Sequence, residues 1–231
     1  MLNTMKARRE ELSENLKRVR DEIPEHLTLI VVTKTFPASD VEILYQLGQR
    51  DFAENRVQEL IAKRDELQER IGADVRWHYQ GQIQSNKISA LNRYADVIHS
   101  LDSDQHIEKI DRSREILIQI NLDRDGGKSE EGRAGIAPER SVDFAAKAFS
   151  KFGESFKGVM GVSPHHAGVT TEGKRQGFTR LRKASEKILL FAPSASWISA
   201  GMSDDYKIAI AEGATHIRLG SSILGLRTPK N

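Results

Sequence analysis

Short apolar, β-branched runs recur along the whole chain with helical segments between them, and this alternation limits the fold more than any other feature. LTLIVVTK (27–34) has the composition of a strand buried on both faces. DFAEN (51–55), VRWHYQ (75–80), DVIHSLD (96–102), EILIQINL (115–122), FKGVMGVS (156–163), SWISAG (196–201) and THIRLG (215–220) follow as further strands. Helices are expected between them, around 56–70, 85–93, 103–111, 138–151, 170–191 and 204–212. The helix after the first strand is expected to begin at a capping box of Ser39 and Glu42 and to stop at Gly48. Strands that alternate with helices make a parallel sheet with right-handed crossovers. Periodicity alone allows a closed barrel or an open sheet. Eight β units in 231 residues favour an α/β chain folded as a single (β/α)₈ TIM-type barrel, one domain over 1–231. Leu12, Leu16, Val19 and Ile23 recur at helical spacing and add an extra N-terminal helix.

Composition removes several classes of function. With no cysteine there is no thiol catalysis, no cysteine-bound metal and no disulfide, which is compatible with a reducing compartment. The 35 basic and 33 acidic residues are interleaved and leave a net charge of +2, which gives no basis for nucleic-acid binding. The first residues, MLNTMKARREELSENLKRVRDEI, lack the apolar core of a secretory signal. No stretch approaches the roughly 18 apolar residues of a membrane span. A monomeric cytoplasmic protein, with no membrane partner, is the expectation.

In such barrels the functional face lies at the C-terminal ends of the strands. Lys34 ends the first strand, Asn55 the second and His78 to Gln80 the third; Ser203 follows the seventh, and Gly220 and Ser221 follow the eighth. A lysine at an apolar barrel mouth is poorly hydrated. That favours the neutral amine that condenses with an aldehyde. The competing reading is a strand-end lysine reaching out to solvent. SAGMSDD (199–205) and GSSILG (220–225) each run from a strand into a helix, and their small residues and serine hydroxyls suit a phosphate. Ordinary capping at Ser203 and Asp204 and a tight turn at GSS are the alternatives. Arg218 shares a strand face with Gly220 and so points into the barrel, toward a pyridine nitrogen or toward a salt-bridge partner.

The motifs VVTKTFP (31–37), FAENRVQE (52–59), WHYQGQIQSNK (77–87), GMSDD (201–205) and IRLGSSILG (217–225) resemble, in order and spacing, those of the pyridoxal phosphate homeostasis proteins. These are relatives of the alanine racemase N-terminal barrel. The resemblance implies a barrel of the fold type III class that binds pyridoxal 5′-phosphate (PLP), with Lys34 as the Schiff-base lysine. It further implies that Ser203, Gly220 and Ser221 cradle the phosphate and that Arg218 faces the pyridine nitrogen. Asn55 and His78 would line the pocket, and Met202 would belong to the loop beside the phosphate. It implies a role in PLP homeostasis, with apo PLP-dependent enzymes as recipients.

Two segments depart from the usual pattern, GVMGVSPHH (158–166) and the Gly- and charge-rich 123–135 loop, so His165, His166 and Arg133 receive no role. No third ligand accompanies the two histidines to make a metal site. Trp77 and Trp197 are expected in the core. The alternative function is a PLP-dependent amino-acid racemase. A two-base racemase needs acid/base groups on both faces of the substrate carbon. In alanine racemases the second base is a tyrosine from an added C-terminal domain. This chain ends about ten residues after Ser221, and of its tyrosines (Tyr45, Tyr79, Tyr94 and Tyr206) only Tyr79 falls near the strand mouths. Holding PLP without turnover is therefore the expectation.

Overall fold

Strand β1, Thr28–Val32, pairs in parallel with two neighbours at once, and that double pairing closes the sheet. On one side Val31 faces Phe52 of β2 (Asp51–Glu54); on the other Leu29 faces Ile217 of β8 (His216–Leu219). The computed structural model describes residues 2–123, 134–164 and 169–225, with side chains from residue 5 onward. The remaining strands are β3 (Arg76–Tyr79), β4 (Val97–Leu101), β5 (Glu115–Ile120), β6 (Phe156–Gly161) and β7 (Trp197–Ser199). The eight run in sequence order around a closed barrel. The expected (β/α)₈ architecture is therefore the observed one, and every expected strand is present.

Side chains alternate across the strands as the pleat requires. Leu29 and Val31 join the large apolar layer between barrel and helices, whereas Ile30 and Val32 meet Ala53 in the lumen. Register shifts along β5 at its pairings with β4 and β6 bring Leu117 inward, where it packs on Val97 and Met160. Full burial of each such Val, Leu or Ile contributes about 1.5–3 kcal/mol.

The outer layer contains α2 (Ala38–Gln46), α3 (Val57–Leu67), α4 (Ile88–Tyr94), α5 (Asp104–Lys109), α6 (Ser141–Phe152), α7 (Thr171–Leu189), α8 (Tyr206–Ala211) and the single turn α9 (Ser221–Leu224). The capping box expected at Ser39 and Glu42 does not form. Helix α2 starts two residues earlier, with Pro37 as its N-cap and no side-chain cap bond. The proline ring already fixes the entry angle, which leaves Ser39 inside the helix, and Glu42 pairs with Arg70 instead. Gly48, with φ 87°, follows the end of α2 as expected.

The N-terminal helix α1 (Leu2–Glu22) buries Leu12, Leu16 and Val19, and Ile23 is half-buried just beyond it. Its polar residues reach the far end of the chain. Arg8, Asn15 and Arg18 donate to the carbonyls of Leu224, Ile223 and Ser222 at 3.0, 3.1 and 3.0 Å. Arg8 also forks onto the buried Asp40 carboxylate at 2.6 and 3.2 Å. Among the described residues no helix is long and apolar enough to cross a membrane.

Candidate cofactor site

The β1 strand ends in a turn held from three sides. Lys63 of α3 donates to the Thr33 carbonyl at 2.6 Å and pairs with Glu54, which in turn accepts from the Thr33 hydroxyl at 2.6 Å. Burial raises the Glu54 carboxyl above its ordinary range, against the pull of Lys63. Next, the Thr35 amide donates to Glu59 at 2.6 Å, and Thr35 itself has φ 70°, a left-handed conformation costly for a β-branched residue. Lys34 lies between these anchors. It is half-buried and lines a cavity of about 720 Å³ at the C-terminal mouth of the barrel.

The two small-residue loops meet at the same cavity. Gly201 turns the chain out of β7 with φ 90°, and a β-carbon there would lie 2.8 Å from Tyr206 Cα, so only glycine fits. Asp205 then shapes the loop: its carboxylate accepts from the Met202 amide at 2.6 Å and from the Ser163 hydroxyl. The N-cap of α8 is Asp205, so Ser203 and Asp204 are not consumed in capping that helix. The Ser221 hydroxyl donates to Ser203 Oγ at 3.0 Å, which joins the loops after β7 and β8. Gly220, the N-cap of α9, lies beside them in the cavity wall. Met202 lies at the rim, 41% exposed.

Arg218 lines the same cavity from inside the lumen and is 3% exposed. It donates to Ser199 Oγ at 2.8 Å and to the Gly161 carbonyl at 3.0 Å. No carboxylate among the described residues pairs with it directly, although the Asp205 charge acts on it without contact. Burial pushes its pKa down to about 10, which leaves it cationic at neutral pH. Asn55 lines the cavity as well, and its buried Oδ1 has no hydrogen-bond partner among the described residues. The backbone passes close at this point: a β-carbon on Gly81 would lie 2.1 Å from the Asn55 carbonyl oxygen.

His78 is the site residue that the structure moves. It points into the lumen, but one layer below the cavity, where it is fully buried between Asp51 and His99. Gln80, two residues on and one layer higher, lines the cavity in its place. Tyr79 faces the helical layer, donates to the Gln82 carbonyl at 3.1 Å, and has its pKa pushed up to about 12 by burial. Trp77 lies in the core and Trp197 is half-buried against His216. Arg133, His165, His166 and most of the 123–135 loop lie outside the described residues. The anchors Glu54, Glu59 and Lys63 were not singled out from the sequence. Lys63 carried a signal, since it shares the apolar stripe of α3 with Leu60 and Leu67.

A lysine, two joined serine-bearing loops and an inward arginine thus converge on one cavity. Residues 8–228 match the family described as "Alanine racemase, N-terminal domain". The "Pyridoxal phosphate homeostasis protein" of Mycobacterium tuberculosis is 32% identical over 226 residues, covering 88% of this chain and 85% of that protein. The chain belongs to the pyridoxal phosphate homeostasis family. Its member in Escherichia coli K12 is 31% identical, over 94% of this chain and 97% of that protein. Another relative, PipY of Synechococcus elongatus PCC7942, has been solved with PLP bound. It is 32% identical and superimposes with a TM-score of 0.79 over 93% of this chain and 100% of that one. Alanine racemase from E. faecalis shares the fold alone, at 15% identity with a TM-score of 0.71 over 95% of this chain and 58% of that one.

Proposed function

We propose that this homeostasis-family chain holds PLP at the barrel mouth, as one domain and a monomer in the cytoplasm, and passes it to apo PLP-dependent enzymes without turning over a substrate. The convergence of Lys34, the Ser203–Ser221 pair and Arg218 on one cavity is the observation that carries this reading. The residues fit the group. An anionic phosphate suits the two hydroxyls and the first amides of α9, which have no intrahelical acceptor. A flat ring suits walls made by Val32, Met160 and Val162. A basic ring nitrogen suits a permanently donating guanidinium, and the unpartnered Asn55 Oδ1 leaves polar capacity at the same level.

Each residue then has a task. When bound, PLP would supply an aldehyde, and the Lys34 amine would hold it as a Schiff base with loss of water. The turn at Thr33–Thr35 fixes where that amine sits, Ser203, Gly220 and Ser221 hold the phosphate, and Met202 shields its outer side. Because Arg218 donates toward the ring nitrogen, it keeps that nitrogen unprotonated and weakens the ring as an electron sink.

Holding rather than turnover is supported by the titratable groups of the wall. Among the described lining residues these are Lys34, Asp204 and Arg218, with no tyrosine or histidine to serve as a second base. Met202, Asp204 and Ser221 are exposed at the mouth, which suits exchange with solvent. The test is borohydride trapping. The wild-type chain should gain the mass of one reduced PLP, Lys34→Ala should gain none while keeping its circular dichroism, and holoprotein should reactivate an apo PLP enzyme. Trapping that persists in Lys34→Ala overturns the assignment, and racemisation of amino acids above that given by free PLP overturns the carrier role.

A further inference from the structure

Arg218 is a buried cation with no direct carboxylate partner among the described residues, yet a chain of hydrogen bonds leads from it to one. Arg218 Nη1 donates to Ser199 Oγ at 2.8 Å. Ser199 Oγ lies 3.0 Å from His99 Nδ1, His99 Nε2 lies 2.8 Å from His78 Nδ1, and His78 Nε2 lies 2.9 Å from Asp51 Oδ1. Strands β8, β7, β4, β3 and β2 contribute one residue each. The chain thus crosses the lumen from the cavity wall to the N-terminal end of the barrel, where Asp51 borders a surface groove. Ser199, His99 and His78 are fully buried.

The direction of every bond follows from the two ends. Arginine only donates, so Ser199 Oγ accepts from Arg218. At the far end, burial works to raise the Asp51 carboxyl, but the His78 hydrogen bond and the Arg76 guanidinium 3.9 Å away act against it, and the carboxyl is held below the usual range. An ionised carboxylate only accepts, so His78 Nε2 carries a hydrogen. Burial holds His99 well below the ordinary histidine value, so it is neutral, with one donor and one acceptor nitrogen. If His99 donated to Ser199, His78 would need a second proton and the Ser199 hydrogen would lose its acceptor. The arrangement that satisfies every atom has Ser199 donating to His99 Nδ1, His99 Nε2 donating to His78 Nδ1, and His78 Nε2 donating to Asp51. All hydrogens then point from Arg218 toward Asp51. Arg76, 3.9 Å from the same carboxylate, is engaged with Glu115.

We propose that Asp51 is a positioning residue for the ring nitrogen of the bound cofactor, acting on Arg218 through His78, His99 and Ser199. Its charge commits the Ser199 hydrogen downward and so leaves the serine oxygen as an acceptor for Arg218. With Nη1 held there and Nη2 on the Gly161 carbonyl, the guanidinium has one orientation. The inference rests on the reading that Arg218 meets the ring nitrogen of PLP.

Two measurements test it. In the PLP-free protein, nitrogen-15 NMR of the imidazoles should show His78 and His99 each as the Nε2–H tautomer; His99 as the Nδ1–H form overturns the relay. The second compares PLP with the analogue that has carbon in place of the ring nitrogen. Asp51→Asn should weaken PLP binding about tenfold, as expected when a hydrogen bond to a charged group is loosened, and leave the analogue's affinity unchanged. Ser199→Ala, which cuts the chain at a small side chain, should show the same selective loss if Asp51→Asn fails to fold. An equal loss for both ligands, or none for PLP, overturns the proposal. If the wild-type chain binds no PLP, the carrier reading fails and takes this inference with it. If it binds PLP and the analogue equally, the role of Arg218 fails while PLP holding stands.

Discussion

The Ser221 hydroxyl donates its hydrogen to the Ser203 oxygen at 3.0 Å, a contact across 18 residues that ties together the loops following β7 and β8. Among the described residues neither hydroxyl has a further hydrogen-bond partner that would fix the pair to the rest of the fold. The two hydroxyls therefore act as a unit, with the Ser203 hydrogen left to meet an anion. Ser203→Ala should weaken PLP binding about tenfold, the scale of one hydrogen bond to a charged acceptor. The double variant Ser203→Ala/Ser221→Ala should lose less than the sum of the single losses, because each single change already breaks the pair. Titration with PLP and with pyridoxal separates the effect, since pyridoxal has no phosphate to lose. A loss of equal size for pyridoxal contradicts the assignment.

Thr35 sits at φ 70° with its side chain exposed. Asparagine tolerates that region far better than a β-branched residue. Thr35→Asn should therefore stabilise the fold by about 1 kcal/mol, seen as a higher urea midpoint with an unchanged slope. A lower midpoint would show that the threonine side chain contributes more to the turn than its conformation costs.

Two buried histidines set an acid limit. Burial pushes His216 from 6.5 down to about 3 and holds His99 well below its ordinary value. Between pH 6.5 and about 3 the unfolded chain binds a proton at His216 that the native chain does not, and His99 acts in the same direction. The His216 contribution is complete above pH 6.5 and declines as the pH falls through this window, by about 1.4 kcal/mol per pH unit. Urea unfolding at pH 7, 6 and 5 should show a falling midpoint, and His216→Gln should flatten the fall. A midpoint constant over that range is the contrary result.

Arg8 joins the Asp40 carboxylate to the Leu224 carbonyl. Arg8→Ala should cost about 2 kcal/mol, because Asp40 is left buried and α9 loses a tie. It should also weaken PLP binding, since Ser221 begins α9. Arg9→Ala removes only an exposed contact with Gln46 and should do neither.

The strands were legible because each is a short apolar run between polar helices, and all eight fall within the expected segments. Barrel closure was not readable from periodicity, since it rests on β1 meeting β8 across nearly the whole sequence. Alternation assigned Arg218 to the lumen correctly, but it says nothing about depth. That is why His78, which faces inward, lies a layer below the cavity while Gln80 lines it. The turn anchors escaped notice because Glu54 and Glu59 read as ordinary charged residues. Their meaning depends on Lys63 and Thr35, brought beside them only by the fold.

The ties from α1 to α9 link residues as far apart as 8 and 224. A chain emerging residue by residue can form β1 and place Lys34 early, but the serine turn and its brace come together only after the last strand has docked against the first. The site is thus a late event in folding, with long loops to close before it exists. A partly synthesised copy would leave PLP in solution, and capture of the vitamer would mark a chain that has finished folding.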